Sequence, residues 1–323
     1  MKNFSEIQSL MKSDIEKTDK ILIDRLNSNV DLINQMSHYI IASGGKRLRP
    51  LLLLLSARAT NYVGTGHQAM AVVIELIHTA TLLHDDVVDE SSTRRGQDTA
   101  NELWGNAPSV LVGDFLYSRA FEIMVEPNSM AIMRILSKAT NQIAEGEVLQ
   151  LLNIRNANVS QTEYFNVIEQ KTACLFEAAC KIGALLSDSS KKTIDSLGDF
   201  GLHLGKAFQI IDDTLDYESD PTTMGKEVGD DLSEGKITLP MIYALEKTAG
   251  TENMTLRKAI KTADASNIDS IVNILCSVNA FEFTRQIAEK ESQKALKSLK
   301  NIPDSEYRSA LKLLCELSLN RTS

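Results

Sequence analysis

Two copies of one acidic pattern, Asp-Asp-x-x-Asp, stand far apart in this sequence. The first is Asp85-Asp86-Val87-Val88-Asp89 and the second is Asp212-Asp213-Thr214-Leu215-Asp216, and each follows an apolar stretch. Residues four positions apart share a face of a helix, so the first and last aspartates of each pattern are predicted to point the same way. Like charges beside a core are costly unless a cation neutralises them.

Carboxylates in this arrangement predict Mg²⁺ held jointly with a phosphate. Mg²⁺ prefers oxygen ligands, keeps several waters and is often bound through one or two carboxylates plus substrate phosphates. Two such motifs that face each other would hold a diphosphate between metal ions. The predicted metal ligands are Asp85, Asp86, Asp89, Asp212, Asp213 and Asp216.

Basic residues near the motifs predict anion binding. Lys46, Arg47 and Arg49 lie between the glycine pair 44–45 and a predicted helix start at Pro50. A helix N-terminus with arginine forks suits a phosphate, although a solvated basic turn is the alternative. Arg94 and Arg95 follow the first motif. Each suits a phosphate group, and one of them could instead only compensate the charge of the aspartates.

Other polar residues lie at helical spacing from the motifs or in the loop after the second one. His78 is two turns before Asp85 and could donate to a phosphate, although a buried histidine is more often a core residue. A lysine within an apolar helix usually points its amine outward, and an inward one would need an anion. The pair Asp230-Asp231 is predicted to be solvated or to brace a lid rather than to bind a metal directly. The remaining candidates are Lys171, Thr172, Gln209, Lys226 and Lys236.

Composition and periodicity predict an all-α protein. Among 323 residues, 43% are hydrophobic, 5% are aromatic and only 6 are proline, which favours helices over sheets. Helical spacing predicts long helices over 67–89, 131–153, 161–186 and 190–217, with loops over 90–105 and 219–235. Since no convincing internal boundary occurs, we predict a single helical domain over residues 1–323.

Charge and hydropathy exclude several classes of protein. A net charge of −9 argues against a nucleic-acid partner. The longest aliphatic run, 51–55, is far too short for a transmembrane segment, and the first 20 residues have no apolar signal core. We therefore predict a cytoplasmic protein with at most peripheral membrane contact. Four cysteines without a C-x-x-C pair predict reduced, buried thiols.

A di-iron bundle is a weak alternative. Glu75 and His78 form a Glu-x-x-His pair, but such a site needs two pairs on separate helices. No other histidine has a glutamate three residues before it.

Taken together, these residues resemble the trans-type polyprenyl diphosphate synthases over essentially the whole chain. Residues 77–91 and 143–151 are especially similar to the bacterial octaprenyl diphosphate synthases that supply ubiquinone or menaquinone side chains. The resemblance is carried by the motifs Gly-Gly-Lys-Arg-Leu-Arg-Pro at 44–50, Leu-Leu-His-Asp-Asp-Val-Val-Asp at 82–89, Arg-Arg-Gly at 94–96, Val-Gly-Asp-Phe-Leu at 112–116, Glu-Gly-Glu at 145–147, Lys-Thr at 171–172, Phe-Gln-Ile-Ile-Asp-Asp at 208–213 and Gly-Lys-Glu-Val-Gly-Asp-Asp-Leu at 225–232.

The resemblance implies a bundle of long antiparallel helices of the isoprenoid synthase type around a deep central cavity, usually as a homodimer. It implies that both acidic motifs bind Mg²⁺, with Lys171 and Lys226 joining their aspartates in catalysis. Isopentenyl diphosphate would contact Lys46, Arg49, His78 and Arg95. The allylic diphosphate, for which farnesyl diphosphate is expected, would contact Arg94, Lys171, Thr172, Gln209, Lys226 and Lys236.

Small residues before the first motif predict a long product. Ala80 and Thr81 stand where shorter-chain relatives tend to carry bulky aromatics, and Met124 or Met133 is proposed as the floor of the tunnel. Ordinary core packing is the alternative for both methionines. The alternatives for the whole chain are a synthase of shorter or different product length, a terpene cyclase and a non-catalytic subunit of a heteromeric synthase.

Overall fold

The computed structural model describes residues 1–42, 44–94, 96–218 and 228–321, and helices account for most of them. The helices are α1 Phe4–Leu10, α2 Lys12–Leu26, α3 Asp31–Ala42, α4 Leu48–Ala59, α5 Gly66–Val88, α6 Ala100–Trp104, α7 Asn106–Met124, α8 Met130–Asn153, α9 Gln161–Ile168, α10 Cys174–Leu185, α11 Lys191–Glu218, α12 Asp230–Ser233, α13 Leu239–Lys247, α14 Gly250–Thr262, α15 Ile268–Ser277, α16 Ala280–Ser298 and α17 Glu306–Leu319. A π-helical turn, Glu169–Ala173, joins α9 to α10, and a 3-10 turn, Leu299–Asn301, follows α16.

The helical prediction is confirmed, with local corrections. The segment 90–105, predicted as a loop with room for one helical turn, contains that turn as the short helix α6. It also contains an unpredicted two-residue antiparallel hairpin, β1 Thr93–Arg94 with β2 Gln97–Asp98. The predicted helix over 161–186 is interrupted by the π-helical turn. The described part of the predicted loop over 219–235 contains α12. Hydrophobic periodicity carries no signal for such short elements.

The chain forms two compact units, each assembled from separate stretches of sequence. Unit 1 comprises Met1–Thr140, Leu175–Gly201 and Ser298–Leu314, and unit 2 comprises Asn141–Cys174, Leu202–Lys297 and Cys315–Ser323. The single domain over 1–323 stays a prediction.

Unit 1 is organised around α5, which packs against α2, α4 and α7. Nearly all of the first four turns of α5 is buried, as is the leucine run 51–55 of α4. A buried polar network also joins these helices. Asp14 accepts from Arg58 at 2.7 and 2.8 Å and from Gln68 at 2.9 Å, and His67 Nε2 lies 3.0 Å from the same carboxylate. This network fixes the upstream end of the helix that carries the first acidic motif.

Unit 2 has two apolar clusters on either side of the second half of α11. One contains Tyr217, Leu256 and Phe281, and the other contains Tyr164, Ile211 and Ile242. Thr214, inside the second acidic motif, donates to Ile210 O and to Thr284 Oγ1 of α16. The motif is therefore seated on a packed interior rather than in a free loop.

The structure bears on the predicted burial of the cysteines and on the predicted absence of a transmembrane segment. Cys174, Cys180 and Cys315 are buried free thiols as predicted, but Cys276 is exposed, because it lies on the outer face of α15. Within the described ranges, no helix is long and apolar enough to cross a membrane.

Candidate active site

The first acidic motif ends α5 in unit 1. Asp89 is the C-cap of this helix and donates its backbone N–H to Asp85 O at 2.8 Å. Asp85 and Asp89 are half-buried, whereas Asp86 is only 4% exposed. The first and last carboxylates are therefore the accessible pair, and the middle one is turned toward the protein interior.

Arg94 neutralises this middle aspartate. Its Nη2 and Nε atoms lie 2.6 and 2.8 Å from Asp86 Oδ1. Burial nevertheless raises the pKa of Asp86, and the charges of Asp85 and Asp89 add to this effect, so that Arg94 offsets it only in part. Arg94 therefore does compensate the charge of an aspartate, which was the alternative to phosphate binding for one of the two arginines. Arg95 lies outside the described residues.

The basic turn before α4 places its cationic side chains in different environments. Gly44 and Gly45 have positive φ, and Arg47 has φ 43°, a left-handed conformation that is unusual for a side chain with a Cβ. Arg47 forms an ion pair with Asp19 and lies 3.9 Å from Glu75, so it connects α2 to α5. Arg47 therefore holds the turn in place, whereas Lys46 is exposed.

Arg49 and His78, which share a predicted role, are in contact, and the role itself stays a prediction. Arg49 Nη1 donates to His78 Nε2 at 3.0 Å, and its guanidinium lies 4.8 Å from the ring centroid of Phe176. Because a guanidinium only donates, His78 Nε2 is the acceptor, and only Nδ1 can carry its proton toward a phosphate. Phe176 was not predicted, because it reads as an ordinary core aromatic. His78, Asp86 and Arg94 line one cavity of unit 1 together with Arg47 and Glu75.

The second acidic motif lies on α11 in unit 2, and its middle aspartate is again the buried one. Asp213 is 5% exposed, whereas Asp212 and Asp216 are half-buried. Tyr164 Oη donates to Asp213 Oδ2 at 2.6 Å, and Gln209 Nε2 donates to Asp213 Oδ1 at 2.7 Å. Both partners are neutral, in contrast to the arginine beside Asp86.

The surroundings of Asp213 disfavour its charge. Burial raises its pKa to about 8, the carboxylates of Asp231 and Asp212 add to this rise, and the hydrogen bonds from Tyr164 and Gln209 oppose it. Burial also raises the pKa of Tyr164, with Asp213 as the next largest cause. A neutral phenol therefore donates to a carboxyl group whose charged form is disfavoured by its surroundings. Asp231, predicted to be solvated or to brace a lid, is half-buried and lines the same cavity as Asp213.

Lys171 points into the protein and has its anion there. Its Nζ donates to Glu147 Oε2 at 2.6 Å and to Gln150 Oε1 at 2.7 Å, both on α8. A Cβ on Gly146 would lie 2.7 Å from Lys171 N, so only glycine lets α8 approach the π-helical turn this closely. Irregular turns of this kind are frequent at functional sites. The outward orientation that is usual for such lysines is therefore wrong here.

The remaining predicted residues of unit 2 gather around one cavity. Thr172 Oγ1 donates to Gln209 Oε1 at 2.9 Å, which links the π-helical turn to the motif. Lys236 Nζ lies 2.6 Å from Glu234 Oε2. Lys226 lies outside the described residues. The cavity, with an empty volume of about 700 Å³ including its open mouth, is lined by Lys171, Thr172, Gln209, Asp213, Asp231 and Lys236.

Arg321, close to the C-terminus, also reaches the second motif. Its Nη2 lies 3.4 Å from Asp212 Oδ1, and its guanidinium is 4.3 Å from the ring centroid of Phe208. The sequence offered no signal for this contact, because a lone arginine at a chain end belongs to no motif.

The predicted chain-length residues occupy apolar positions in unit 1. Ala80 is fully buried on α5, Met124 is 2% exposed at the end of α7, and Thr81 and Met133 are half-buried. Thr81 Oγ1 donates to His78 O at 2.7 Å, so its hydroxyl is satisfied within the helix. Their role in product length stays a prediction.

The donor set fits a hard divalent cation that shares its ligands with a phosphate. No group of three or more His, Cys, Asp or Glu side chains converges closely enough to hold a metal by itself, as far as the described residues go. All six motif side chains nevertheless offer oxygen, the donor atom that such a cation prefers. Burial first, and then the charges of Asp231 and Asp212, raise the pKa of Asp213. Asp85 with Asp89 in unit 1, and Asp212 with Asp216 in unit 2, are the half-buried pairs that would each hold such a cation.

Comparison with known proteins identifies the family. The family model described as "Polyprenyl synthetase" matches residues 30–276. The chain is 44% identical over 320 residues to the octaprenyl diphosphate synthase of Escherichia coli (strain K12), with 99% of each chain covered. It is 41% identical to an all-trans-nonaprenyl-diphosphate synthase (geranyl-diphosphate specific) of Rhodobacter capsulatus, with 98% and 97% covered.

A solved structure extends the similarity to the fold. The polyprenyl synthase from Caulobacter crescentus CB15, complexed with calcium and isoprenyl diphosphate, superposes with a TM-score of 0.96 at 40% identity, with 100% of this chain and 99% of that chain covered. The acidic motifs, the cations beside them and the helical architecture are thus accompanied by similarity over the full length, and the chain belongs to the polyprenyl synthetase family, whose members are prenyltransferases.

Proposed function

We propose that this protein is a long-chain all-trans polyprenyl diphosphate synthase with an octaprenyl product, which uses Mg²⁺ and starts from farnesyl diphosphate. Its family joins isopentenyl diphosphate to an allylic diphosphate with the help of a divalent metal. The observation that carries the proposal is that two aspartate motifs, each with a half-buried first and last residue, occur in a chain 44% identical to an octaprenyl diphosphate synthase.

The residues beside each motif suit the two substrates. In unit 1, Arg49 and His78 form a donor pair for the diphosphate of isopentenyl diphosphate, and exposed Lys46 adds a second cation. In unit 2, Lys171 and Thr172 border the cavity that contains Asp213, where they can contact an allylic diphosphate. Arginine and lysine stabilise the charge that develops on a departing diphosphate.

The proposed reaction depends on positive charge beside the diphosphate and does not require a general base from the protein. When bound, a divalent cation supplies positive charge that favours departure of the diphosphate. Lys171 would exchange Glu147 or Gln150 for a diphosphate oxygen, which adds an ammonium charge at the leaving group. The isopentenyl double bond then attacks the allylic cation, and the proton that is lost can pass to the released pyrophosphate. Apolar side chains around the growing tail keep water away from the cation.

Small side chains before the first motif support the long product. Ala80 has no side-chain bulk on α5, and its helix of 23 residues spans roughly 35 Å. Replacing Ala80 with Phe would put an aromatic ring about 1.4 helical turns before Asp85, and products should become shorter. Ala71→Phe, at another buried alanine of α5 much farther from the motif, is the comparison that separates depth from general overpacking.

Homodimer formation is part of the proposal. Exposed apolar side chains lie on one side of α7, where Leu111 is 66% exposed, Phe121 43% and Val125 48%. Such a surface is unusual for a helix that faces water only, and a second copy of the chain would cover it. Light scattering should give twice the chain mass for the wild type and a smaller mass for Leu111→Lys. Cytoplasmic location and service to a quinone pathway stay predictions.

Incubation of the purified protein with Mg²⁺, farnesyl diphosphate and labelled isopentenyl diphosphate tests the function directly. Chromatographic sizing of the hydrolysed products should show a C40 chain. Absence of any elongation would contradict the synthase function. Products that end at C15 or C20 would contradict the length alone and leave the reaction type standing.

A further inference from the structure

Tyr164, a buried tyrosine of α9, lies directly against the second acidic motif. Its side chain is 4% exposed, and its hydroxyl donates to Asp213 Oδ2 at 2.6 Å. It lies 49 residues before its partner in the chain and belongs to none of the motifs. Its ring also packs edge-on against Phe165, with centroids 5.4 Å apart, which limits its freedom to move away.

The hydrogen bonds at Asp213 all run toward its carboxylate. Thr172 Oγ1 donates to Gln209 Oε1, which leaves the Gln209 amide nitrogen to donate to Asp213 Oδ1 at 2.7 Å. Tyr164 occupies the other carboxylate oxygen. Both oxygens of Asp213 are therefore engaged by neutral donors, and its carboxylate plane is fixed from two sides.

Nearby charge would otherwise drive this carboxylate outward. Asp212 precedes it directly, and Asp231 lines the same cavity. Like charges in a buried setting repel strongly, and a carboxylate that lost one of its two donors would gain by turning toward water. The Tyr164 hydroxyl opposes that movement without adding a charge of its own.

We propose that Tyr164 is a positioning residue that holds Asp213 in the interior, so that Asp212 and Asp216 are the carboxylates of this motif presented to a divalent cation and diphosphate. This role of Tyr164 rests on the proposed synthase function, since it concerns the binding of metal and diphosphate. Its test does not require turnover, because binding of Mn²⁺ with inorganic pyrophosphate can be measured without any prenyl substrate.

Isothermal titration of Mn²⁺ in the presence of pyrophosphate should be made on the wild type, Tyr164→Phe, Asp213→Asn and the double variant. Tyr164→Phe should weaken Mn²⁺ binding roughly tenfold, the size expected for loss of a hydrogen bond to a charged group. The double variant should bind no more weakly than Asp213→Asn alone, since Tyr164 acts through that carboxylate. In the elongation assay, the KM for the allylic diphosphate should rise more than kcat falls.

Tyr217→Phe is the matched control. Tyr217 is equally buried in unit 2, and its hydroxyl lies 3.5 Å from Thr238 rather than at an aspartate. Equal Mn²⁺ binding in the two Tyr→Phe variants would overturn the inference, as would additive losses in the double variant. Loss of the helical circular dichroism signal in Tyr164→Phe would also overturn it, because the hydroxyl would then serve the fold. A wild type that binds Mn²⁺ and pyrophosphate but elongates nothing would overturn the proposed function and leave this inference standing.

Discussion

Asp86 and Asp213 occupy the same position in the two acidic motifs, and both are buried, but their partners differ. Asp86 is paired with the guanidinium of Arg94, whereas Asp213 accepts hydrogen bonds from the neutral groups of Tyr164 and Gln209. Burial raises both pKa values, and that of Asp213 reaches about 8. The first motif thus carries its own countercharge at the middle position, whereas the middle position of the second motif has only neutral donors.

Two carboxylates away from the motifs show what cationic partners do without competing aspartates. Asp14 with Arg58 and His67, and Glu291 with His203 and Lys294, both have lowered pKa values although burial alone raises them. Burial raises the pKa of all four groups, and the outcome depends on whether their partners outweigh it. At Asp14 and Glu291 several hydrogen-bonding and cationic partners do so. At Asp86 burial outweighs the single guanidinium of Arg94, and the charges of Asp85 and Asp89 add to the rise.

The largest effect is expected for the accessible first aspartate of each motif. Asp85→Ala and Asp212→Ala should each lower turnover by roughly 10²–10³-fold, the loss typical for one electrostatic contact to a reacting group. Steady-state elongation assays measure it, and circular dichroism should show an unchanged helix content. Asp24→Ala, at an exposed position of α2, should retain wild-type turnover. Near-normal turnover in either motif variant would remove its aspartate from the metal site.

The next largest effect is expected when the cationic partner of Asp86 is removed, since Asp213 has no such partner. Arg94→Gln leaves Asp86 buried without its cation and should lower the free energy of unfolding by about 1–3 kcal/mol. The double variant Arg94→Gln/Asp86→Asn removes both charges and should recover most of that loss. Urea denaturation at pH 7 gives both values. A double variant less stable than Arg94→Gln would mean that the pair stabilises by shape rather than by charge.

The motifs and the long helices could be predicted because their signals are local. Helical spacing predicted that Asp85 and Asp89 share a face and that the protein is all-helical. The family pattern predicted that Arg49 and His78 act together. Tyr164, Phe176 and Asp231 could not be found in this way, since an aromatic in an apolar helix and an acidic pair between glycines have common structural roles. The spacing of seven between Tyr164 and Lys171, about two helical turns, was the one available hint.

The π-helical turn and Arg321 were missed for a different physical reason. A π-helical turn changes the hydrogen-bond register over only a few residues, which no periodic pattern resolves. The usual behaviour of lysines therefore favoured an outward Lys171, and only the family resemblance placed it at the site. Gly146 was the better signal, because a glycine within a long helix often marks a close backbone approach. Arg321 meets Asp212 only after the chain has folded, over a separation that no local pattern records.

A smaller, pH-dependent effect tests the lowered pKa of Glu291. Its folded pKa of about 2 lies below the usual 4.5, so its stabilisation is fully present above about pH 4.5 and is lost as the pH falls from 4.5 toward 2. Glu291→Gln should therefore destabilise the protein at pH 7, by about 1–2 kcal/mol, and the difference from wild type should shrink below pH 4.5. Glu289→Gln, exposed two residues earlier on α16, should show no such difference. A Glu291→Gln deficit that stays constant down to pH 3 would contradict the lowered pKa.

The smallest effect concerns the distant cation of the second motif. Arg321 Nη2 lies 3.4 Å from Asp212 Oδ1, and ion pairs with partial solvent access contribute at most about 1 kcal/mol, so Arg321→Gln should scarcely change stability. Removing its charge makes the motif more negative, and Mn²⁺ alone should bind roughly 2- to 5-fold more tightly while pyrophosphate binds more weakly. Arg308→Gln removes an ion pair of equal length, to Asp304, and should change neither affinity. Weaker Mn²⁺ binding in Arg321→Gln would show that Arg321 orients Asp212 rather than offsets its charge, which would make the second motif resemble the first after all.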